Sequence, residues 1–205
     1  MPGRDYWLTI ARSPDPDDLR EHILTGFKDG KPFTPYVPTI AIPSPVGRVL
    51  DFGCGVGRSF PFLRTIASHV TGFDLPPMIE RCQALVAEPA DALIDDWATA
   101  RGLTFDLIVS VLVLQHIEPD ACRGYLEDFA RMSPAVYLLS RADSDFGTNV
   151  FAAIAATNMF HAGECVEVDH DPATHQLRVL GRKSFAGVSA PDAEGHYEVL
   201  LRSRV

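Results

Sequence analysis

The stretch RVLDFGCGVGRS, from Arg48 to Ser59, decides the fold. An apolar run ends at an acidic residue, and glycines then occupy every second position, at Gly53, Gly55 and Gly57. Glycine is unfavourable inside strands and helices, so three this close predict a turn that another group must approach closely. A strand, a glycine turn and a helix in succession bring backbone N–H groups to the carboxyl edge of a sheet, where open α/β folds bind ligands.

Short β-rich runs alternate with helical patterns from Arg48 onward, which predicts an α/β fold with a mostly parallel sheet. The five predicted strands are RVLDF (48–52), HVTGFD (69–74), DALIDD (91–96), FDLIVS (105–110) and AVYLLS (135–140). Two later segments, CVEVDHDPATHQLRVL (165–180) and HYEVLLRSR (196–204), alternate with period two. They predict antiparallel strands that close one edge of the sheet.

The composition limits the classes of function. Of the 205 residues, 46% are hydrophobic, which is typical of a globular protein with one sizeable core. The net charge of −9 disfavours a protein that binds the phosphates of nucleic acids. The four cysteines lie far apart without a C-x-x-C pair, which indicates reduced thiols. Without a recognisable signal sequence or membrane-spanning run, we expect no membrane partner and a cytoplasmic location.

The spacing of the glycines separates two classes of cofactor. The dinucleotide fingerprint G-x-G-x-x-G, counted from Gly53, requires a glycine at position 58, where this chain has Arg58. The third glycine comes one residue earlier, at Gly57, and an acid, Asp51, stands two residues before the first. The pattern is therefore D-x-G-x-G-x-G, which disfavours a nicotinamide-dependent oxidoreductase.

This pattern resembles that of the class I S-adenosylmethionine-dependent methyltransferases, and the likeness extends from about Arg48 to Ser140. VTGFDLPPMIE places Asp74 where the family has an acid for the ribose hydroxyls, and FDLIVSVLVLQHI (105–117) is similar to the motif of the fourth strand. The resemblance implies a Rossmann-like, doubly wound, seven-stranded sheet with an antiparallel C-terminal edge. It also implies S-adenosyl-L-methionine as cofactor. The implied cofactor-binding residues are Asp51, Gly53, Cys54, Gly55, Gly57, Asp74, Leu75, Met78, Asp96, Trp97 and Ser110.

Each of these features also has a purely structural interpretation. A glycine-rich turn can be only a tight connection, and Asp74 can be only the N-cap of the following helix. Leu75 and Met78, taken alone, fit a role in the core better than contact with a cofactor. Asp96 and Trp97, which the resemblance places beside the adenine, can be a surface acid next to a core tryptophan. It is the order and spacing of the whole set that favours a cofactor site.

His116 is the first candidate for a general base, because it follows the fourth strand at the ligand edge and histidine titrates near neutrality. The alternative is that His116 only packs or caps locally. Asp143, Asp145 and His161 are weaker candidates in or after the loop that follows the fifth strand. A further group of acids and histidines suggests either a metal site or, because strand neighbours alternate faces, a solvated hairpin. This group consists of His161, Glu164, Asp169, His170, Asp171 and His175.

The residues after the fourth strand narrow the acceptor. Methyltransferases that act on the exocyclic amines of nucleic-acid bases typically carry an Asn/Asp-Pro-Pro-Tyr-type motif after the fourth strand. This chain has Ser110-Val111-Leu112-Val113 at that place. Metal-dependent catechol-type enzymes have an acidic ligand there, which Ser110 cannot replace. We therefore expect a small-molecule acceptor, no metal and no nucleic acid. The alternative is a cofactor-binding partner subunit without catalysis of its own.

Residues 1–47 form an N-terminal segment before the domain of residues 48–205. We expect this segment to be a lid over the cofactor and part of the acceptor site, together with the loop 141–148. A closed site excludes water from methyl transfer. The candidate lid side chains are Tyr6, Trp7, Phe27, Phe33 and Tyr36, with Arg12 or Arg20 for the cofactor's carboxylate. The alternative is that these aromatic residues only complete the core.

Overall fold

The computed structural model describes residues 4–13, 37–85, 90–141, 150–161, 163–170, 177–184 and 195–205. The first half of the chain contains α1 (Arg4–Arg12), β1 (Val46–Phe52), α2 (Phe60–Ile66), β2 (Ala67–Phe73), α3 (Pro76–Leu85), β3 (Ala92–Ile94) and α4 (Trp97–Ala100). The second half contains β4 (Leu107–Val111), a 3-10 helix (Leu114–His116), α5 (Pro119–Met132), β5 (Ala135–Arg141), α6 (Val150–Thr157), β6 (Phe160–His161), β7 (Glu164–His170), β8 (Leu177–Ser184) and β9 (His196–Ser203).

The strands form one sheet in the order β3-β2-β1-β4-β5-β9-β7-β8, with β6 paired to β9. Strands β1 to β5 are parallel, and β9 is antiparallel to both β5 and β7. The chain runs outward from β1 in one direction and from β4 in the other, so the order reverses between these two strands. Ligands of open α/β sheets bind at the carboxyl ends of such a pair.

Side chains alternate between the two faces of the sheet, and each face has its own hydrophobic core. On one face, Leu50 and Ile108 of the strands lie in one cluster with Phe129 of α5. On the other face, Val49 and Val109 share a cluster with α2 and α3. Both faces of β1 and β4 are therefore buried, as expected for the centre of a parallel sheet.

The predicted α/β class with an antiparallel C-terminal edge is confirmed, with local differences. The described residues hold nine strands where the resemblance implied seven, and the additional strands include the two-residue β6. Strand β2 begins at Ala67, before the predicted start at His69. Ala67 is already extended (φ −126°, ψ 144°), because the chain turns directly from α2 into the strand. No helix in the described segments is long and apolar enough to cross a bilayer.

The segment before β1 is attached to the antiparallel edge by a buried acid. Glu198 of β9 has no solvent exposure, and the Tyr137 hydroxyl of β5 donates a hydrogen bond to it. The backbone N–H of Thr39 lies 3.0 and 3.1 Å from the two carboxylate oxygens, and the Thr39 hydroxyl also donates. These donors offset the cost of burying the carboxylate and connect the N-terminal segment to the sheet.

We predict that Tyr137→Phe lowers the free energy of unfolding by about 2 kcal/mol, because it leaves the buried Glu198 carboxylate with one donor fewer. Denaturant unfolding measures this change. Tyr125→Phe is the matched control. Its hydroxyl has no hydrogen-bond partner within the described residues, so its removal changes the free energy by less than about 0.5 kcal/mol. Equal stability of the two variants would contradict the assignment.

Candidate active site

The glycine turn that follows β1 depends on glycine for its conformation. Gly53, Gly55 and Gly57 have φ angles of 75°, 55° and 78°, in the left-handed region that residues with a side chain rarely adopt. A Cβ on Gly53 would also lie 2.3 Å from a methyl carbon of Val113. The turn therefore passes close to the chain after β4, at the point where the strand order reverses.

Hydrogen bonds hold this turn against the end of β2. The backbone N–H groups of Gly53 and Cys54 donate to the Phe73 carbonyl at 2.8 and 3.0 Å. The N–H of Gly55 donates to Asp74 Oδ2 at 2.7 Å, and the N–H of Leu75 donates to Asp74 Oδ1, also at 2.7 Å. Asp74 thus joins the glycine turn to the start of α3.

Asp51 and Asp74 are two acids in the same site, of which Asp51 is buried and Asp74 is half-buried. Burial, together with the charge of Asp74, raises the pKa of Asp51 to about 7. Burial raises the pKa of Asp74 to about 6, although its hydrogen bonds with Leu75 and Gly55 act in the opposite direction. Asp51 Oδ2 has no hydrogen-bond partner in the described part of the chain. The site therefore favours a cationic ligand group.

Three further residues predicted at the cofactor site have apolar or hydroxyl side chains. Met78 is buried and packs with Val56 of the glycine turn, and Leu75 contacts the same small cluster. Ser110, near the end of β4, is buried, and its hydroxyl has no partner among the described residues. Residues from the ends of β1, β2 and β4 are thus brought to one edge of the sheet.

His116 lies just beyond β4, as predicted. Its ring centroid is 5.3 Å from that of Trp7 in α1, at an interplanar angle of 64°. Its Nε2 is 3.3 Å from the side-chain nitrogen of Gln115, whose oxygen accepts the backbone N–H of Arg141 at 2.8 Å. The prediction singled out His116 but missed Gln115, because a lone glutamine in a sequence gives no signal of its partners.

Comparison with known proteins identifies the family of this chain. A protein-family model described as "Methyltransferase domain" matches residues 20–189, which is most of the chain. The chain belongs to this methyltransferase family. Two solved structures share the fold of this methyltransferase. N-methyltransferase NodS from Bradyrhizobium japonicum WM9, in complex with S-adenosyl-L-homocysteine, has a TM-score of 0.55 and 18% identity over 99% of this chain and 94% of that one.

The second structure is magnesium protoporphyrin IX methyltransferase from Synechocystis PCC 6803 with bound S-adenosylmethionine. Its TM-score is 0.51, with 16% identity over 78% of this chain and 71% of that one. At such low sequence identity, these two structures establish only the fold of this methyltransferase. The curated proteins include no match to its sequence.

Asp96 and Trp97 of the methyltransferase have local partners. The Asp96 carboxylate caps α4, accepting from the N–H groups of Ala98 and Thr99 and from the Thr99 hydroxyl. The hydrogen bonds from Thr99 lower the pKa of Asp96. Trp97 donates from Nε1 to Asp128 at 2.9 Å and packs among aromatic side chains. Contact of these two residues with adenine stays a prediction.

Cys54 occupies the second position of the glycine turn in the methyltransferase. Its pKa is raised well above the ordinary value, first by a hydrogen bond with Cys82 and then by burial. A thiol in such surroundings stays protonated and unreactive, so Cys54 contributes a packed side chain and not a nucleophile.

The remaining sequence predictions concern the second half of the chain. His161 is exposed in β6, and Asp143 and Asp145 lie outside the described residues. Glu164 pairs with Arg182 at 2.6 Å and Asp169 with Arg178 at 3.3 Å, which fits a solvated hairpin. The side chain of His170, with Asp171 and His175, also lies outside the described part. Within that part, no three His, Cys, Asp or Glu side chains are grouped to hold a metal.

Helix α1 lies against the cofactor-site residues of the methyltransferase. Ala11 is buried in the cluster of Val56 and Met78. Arg81 of α3 donates from Nε to the Ala11 carbonyl at 3.2 Å and from its guanidinium to the Ser13 carbonyl. The guanidinium therefore satisfies carbonyls at the C-terminal end of α1, where helices leave them without intrahelical partners. Neither Ala11 nor Arg81 was among the residues predicted for the lid. Of those that were, Arg20, Phe27, Phe33 and Tyr36 lie outside the described residues.

We predict that the cofactor-free Asp51→Asn variant is more stable than the wild type at pH 8 by about 2 to 4 kcal/mol. The folded wild type keeps a proton on Asp51 up to about pH 7, whereas the unfolded chain releases it near 3.8. Between these values the folded state binds more protons, so the wild type's free energy of unfolding falls as pH rises. Below about pH 4 Asp51 is protonated in both the folded and the unfolded state, so it no longer makes the free energy of unfolding depend on pH.

Urea unfolding at pH 5 and pH 8 measures the difference. Asp95→Asn, which replaces an exposed acid, is the control and follows the wild type at both pH values. A wild-type stability that stays level or rises from pH 5 to pH 8 relative to Asp51→Asn would show that the Asp51 pKa is not raised.

Proposed function

We propose that this methyltransferase transfers the methyl group of S-adenosyl-L-methionine to an oxygen or nitrogen nucleophile of a small molecule, without a metal ion. The observation that carries the proposal is the join between the glycine turn and Asp74 beside the unpartnered oxygen of Asp51. This edge offers a glycine turn that a ligand can approach closely, two acids and apolar cover within one site.

These residues fit the cofactor group by group. Asp74 would accept the two ribose hydroxyls, and Asp51, which lacks a described partner at Oδ2, suits the amino group of the methionyl portion. Gly53, Cys54, Gly55 and Gly57, whose N–H groups already donate within the protein, would let the methionyl portion pass close to the backbone of the turn. Leu75 and Met78 would cover the adenine, with Asp96, Trp97 and Ser110 as further contacts. When bound, the cofactor supplies a methyl group activated by its positive sulfur.

Three observations support a small acceptor. The relatives of similar fold are named for porphyrin and N-methyl transfer, the net charge is −9, and the residues after β4 lack the base-amine motif. Gly57 stands where the dinucleotide fingerprint has no glycine, which disfavours a nicotinamide ligand. A partner subunit without catalysis is the remaining alternative, and turnover distinguishes it from an enzyme.

In this proposal, residues 1–47 form a lid over the domain of residues 48–205. Three contacts of helix α1 support this role: Trp7 packs on His116, Ala11 packs on Met78, and Arg81 binds the end of the helix. A cover at this edge excludes water from the reacting groups and holds the acceptor near the methyl group.

We predict that Gly55→Val folds but does not bind S-adenosylhomocysteine and does not release it from S-adenosylmethionine with any acceptor. A branched side chain is strained at the φ of 55°, and it stands where the ligand must approach. Calorimetry measures binding, and mass spectrometry of a panel of amines, carboxylic acids and phenols measures turnover.

Gly124→Val is the control for this substitution, because a Cβ at Gly124 meets nothing within 4 Å. Gly124→Val binds S-adenosylhomocysteine and releases it from S-adenosylmethionine with an acceptor as the wild type does. Near-native affinity in folded Gly55→Val would exclude the proposed cofactor site. Binding by the wild type without turnover of any acceptor would favour the partner-subunit alternative.

We predict that Arg81→Met releases α1 while the sheet stays folded, because the helix end loses both guanidinium hydrogen bonds. Hydrogen exchange of residues 5–12 becomes faster, and the cofactor dissociates about tenfold faster. Arg123→Met, which removes only an exposed pair with Asp120 at 3.4 Å, is the control and changes neither rate. Unchanged exchange of α1 in Arg81→Met would refute the role of Arg81 in holding the lid.

A further inference from the structure

The side-chain amide of Gln115 has one possible orientation. Gln115 lies in the 3-10 helix after β4, with 6% of its surface exposed. One end of its amide lies 2.8 Å from the backbone nitrogen of Arg141, at the end of β5. A backbone N–H can only donate, so the amide atom that faces it must be the oxygen. The NH₂ group is thereby directed to the other side.

The orientation of Gln115 determines the tautomer of its neighbour. The NH₂ group lies 3.3 Å from Nε2 of His116. An amide NH₂ can only donate, so His116 Nε2 must accept with its lone pair. In a neutral imidazole the other nitrogen then carries the proton, which places that proton on Nδ1.

Backbone contacts with β5 hold this arrangement in place. Leu112, directly before the 3-10 helix, has a φ of 58°, which is rare for a residue with a branched side chain. Its N–H donates to the Leu139 carbonyl at 2.7 Å. With the bond from Arg141 to Gln115, the loop is attached to β5 at two points. Trp7 packs against the His116 ring, so its side chain is confined as well.

We propose that Gln115 is a positioning residue that holds neutral His116 with its proton on Nδ1, so that His116 does not serve the methyl acceptor as a general base. The single lone pair of the ring is already bound by Gln115. Accepting a proton there would direct an N–H of His116 at the NH₂ of Gln115. The exclusion of His116 as a base for the acceptor rests on the proposed methyl transfer, whereas the tautomer does not.

This assignment narrows the class of acceptor. An acceptor that needs no base at His116 is a free amine, a carboxylate or an ionised phenol, and an aliphatic alcohol is excluded. With an amine, the nitrogen lone pair forms the N–CH₃ bond while the S–CH₃ electron pair returns to sulfur, and the resulting ammonium releases its proton to water. With a carboxylate or phenolate, the O–CH₃ bond forms and no proton has to leave.

The tautomer is measured directly by long-range ¹H–¹⁵N correlation spectra of the cofactor-free protein with ¹⁵N-labelled histidine, at a pH where the histidines are neutral. The His116 signals are those missing in His116→Asn. We expect a protonated, pyrrole-type Nδ1 and an unprotonated, pyridine-type Nε2. A proton on Nε2 of His116 would overturn the proposal.

Two variants test the role of Gln115. Gln115→Glu keeps an acceptor for the Arg141 N–H but presents an oxygen to His116, so the proton moves to Nε2. Gln115→Met, similar in volume, removes both bonds and yields a mixture of tautomers, and it serves if the glutamate variant does not fold. The exposed His161 is the internal control, and its signals stay unchanged. A His116 that keeps its proton on Nδ1 in either variant would overturn the role of Gln115.

Turnover gives a separate test of whether His116 acts as a general base. The wild type releases S-adenosylhomocysteine with amines, carboxylic acids or phenols and not with aliphatic alcohols. Turnover of an aliphatic alcohol would overturn the exclusion of His116 as a base while leaving the tautomer measurement intact. Because the spectra require neither cofactor nor acceptor, failure of the proposed methyl transfer is distinguishable from failure of the tautomer assignment.

Discussion

The hydrogen bond from the Gly55 N–H to Asp74 Oδ2, at 2.7 Å, is the interaction on which the site depends. It connects the turn after β1 with the end of β2, and a second bond from Leu75 carries the connection into α3. The same helix holds α1 through Arg81. One carboxylate thereby links the glycine turn to α3, the helix on which α1 is held.

Asp74 also imposes a cost, because its half-buried charge lies beside a second acid. Burial raises the pKa of both acids, and Asp51 keeps an oxygen without a partner in the described part of the chain. An apolar side chain at position 51 would avoid this electrostatic cost. A buried acid at this place is understandable if a cationic ligand completes it, since functional sites commonly reduce the stability of the folded protein.

Local sequence patterns were sufficient to predict the framework of strands and helices. The D-x-G-x-G-x-G spacing, the acid at Asp74 and the alternation of strands and helices predicted the parallel sheet and the edge that carries the site. These features arise from residues close together in sequence, where periodicity and turn chemistry are informative. The short β6 and the direct passage from α2 to β2 at Ala67 were missed, because element boundaries are the weakest part of such predictions.

Contacts between distant residues were not predictable in this way. Glu198 receives its hydrogen bonds from Tyr137 and Thr39, and Arg81 binds carbonyls of α1, about 70 positions earlier. Gln115 meets Arg141 only because β4 and β5 are neighbours in the sheet. No periodic pattern marks these residues, since their partners are set by the packing of the whole fold.

Calorimetric titration of Asp74→Asn with S-adenosylhomocysteine tests the central claim most directly. Asparagine retains an oxygen for the Gly55 N–H but loses the charge and one of the two acceptors for the ribose hydroxyls. The account predicts a folded variant that binds at least about tenfold more weakly than the wild type, since a hydrogen bond to a charged group contributes about 1.5 to 3 kcal/mol. Equal affinity of the wild type and folded Asp74→Asn would contradict it.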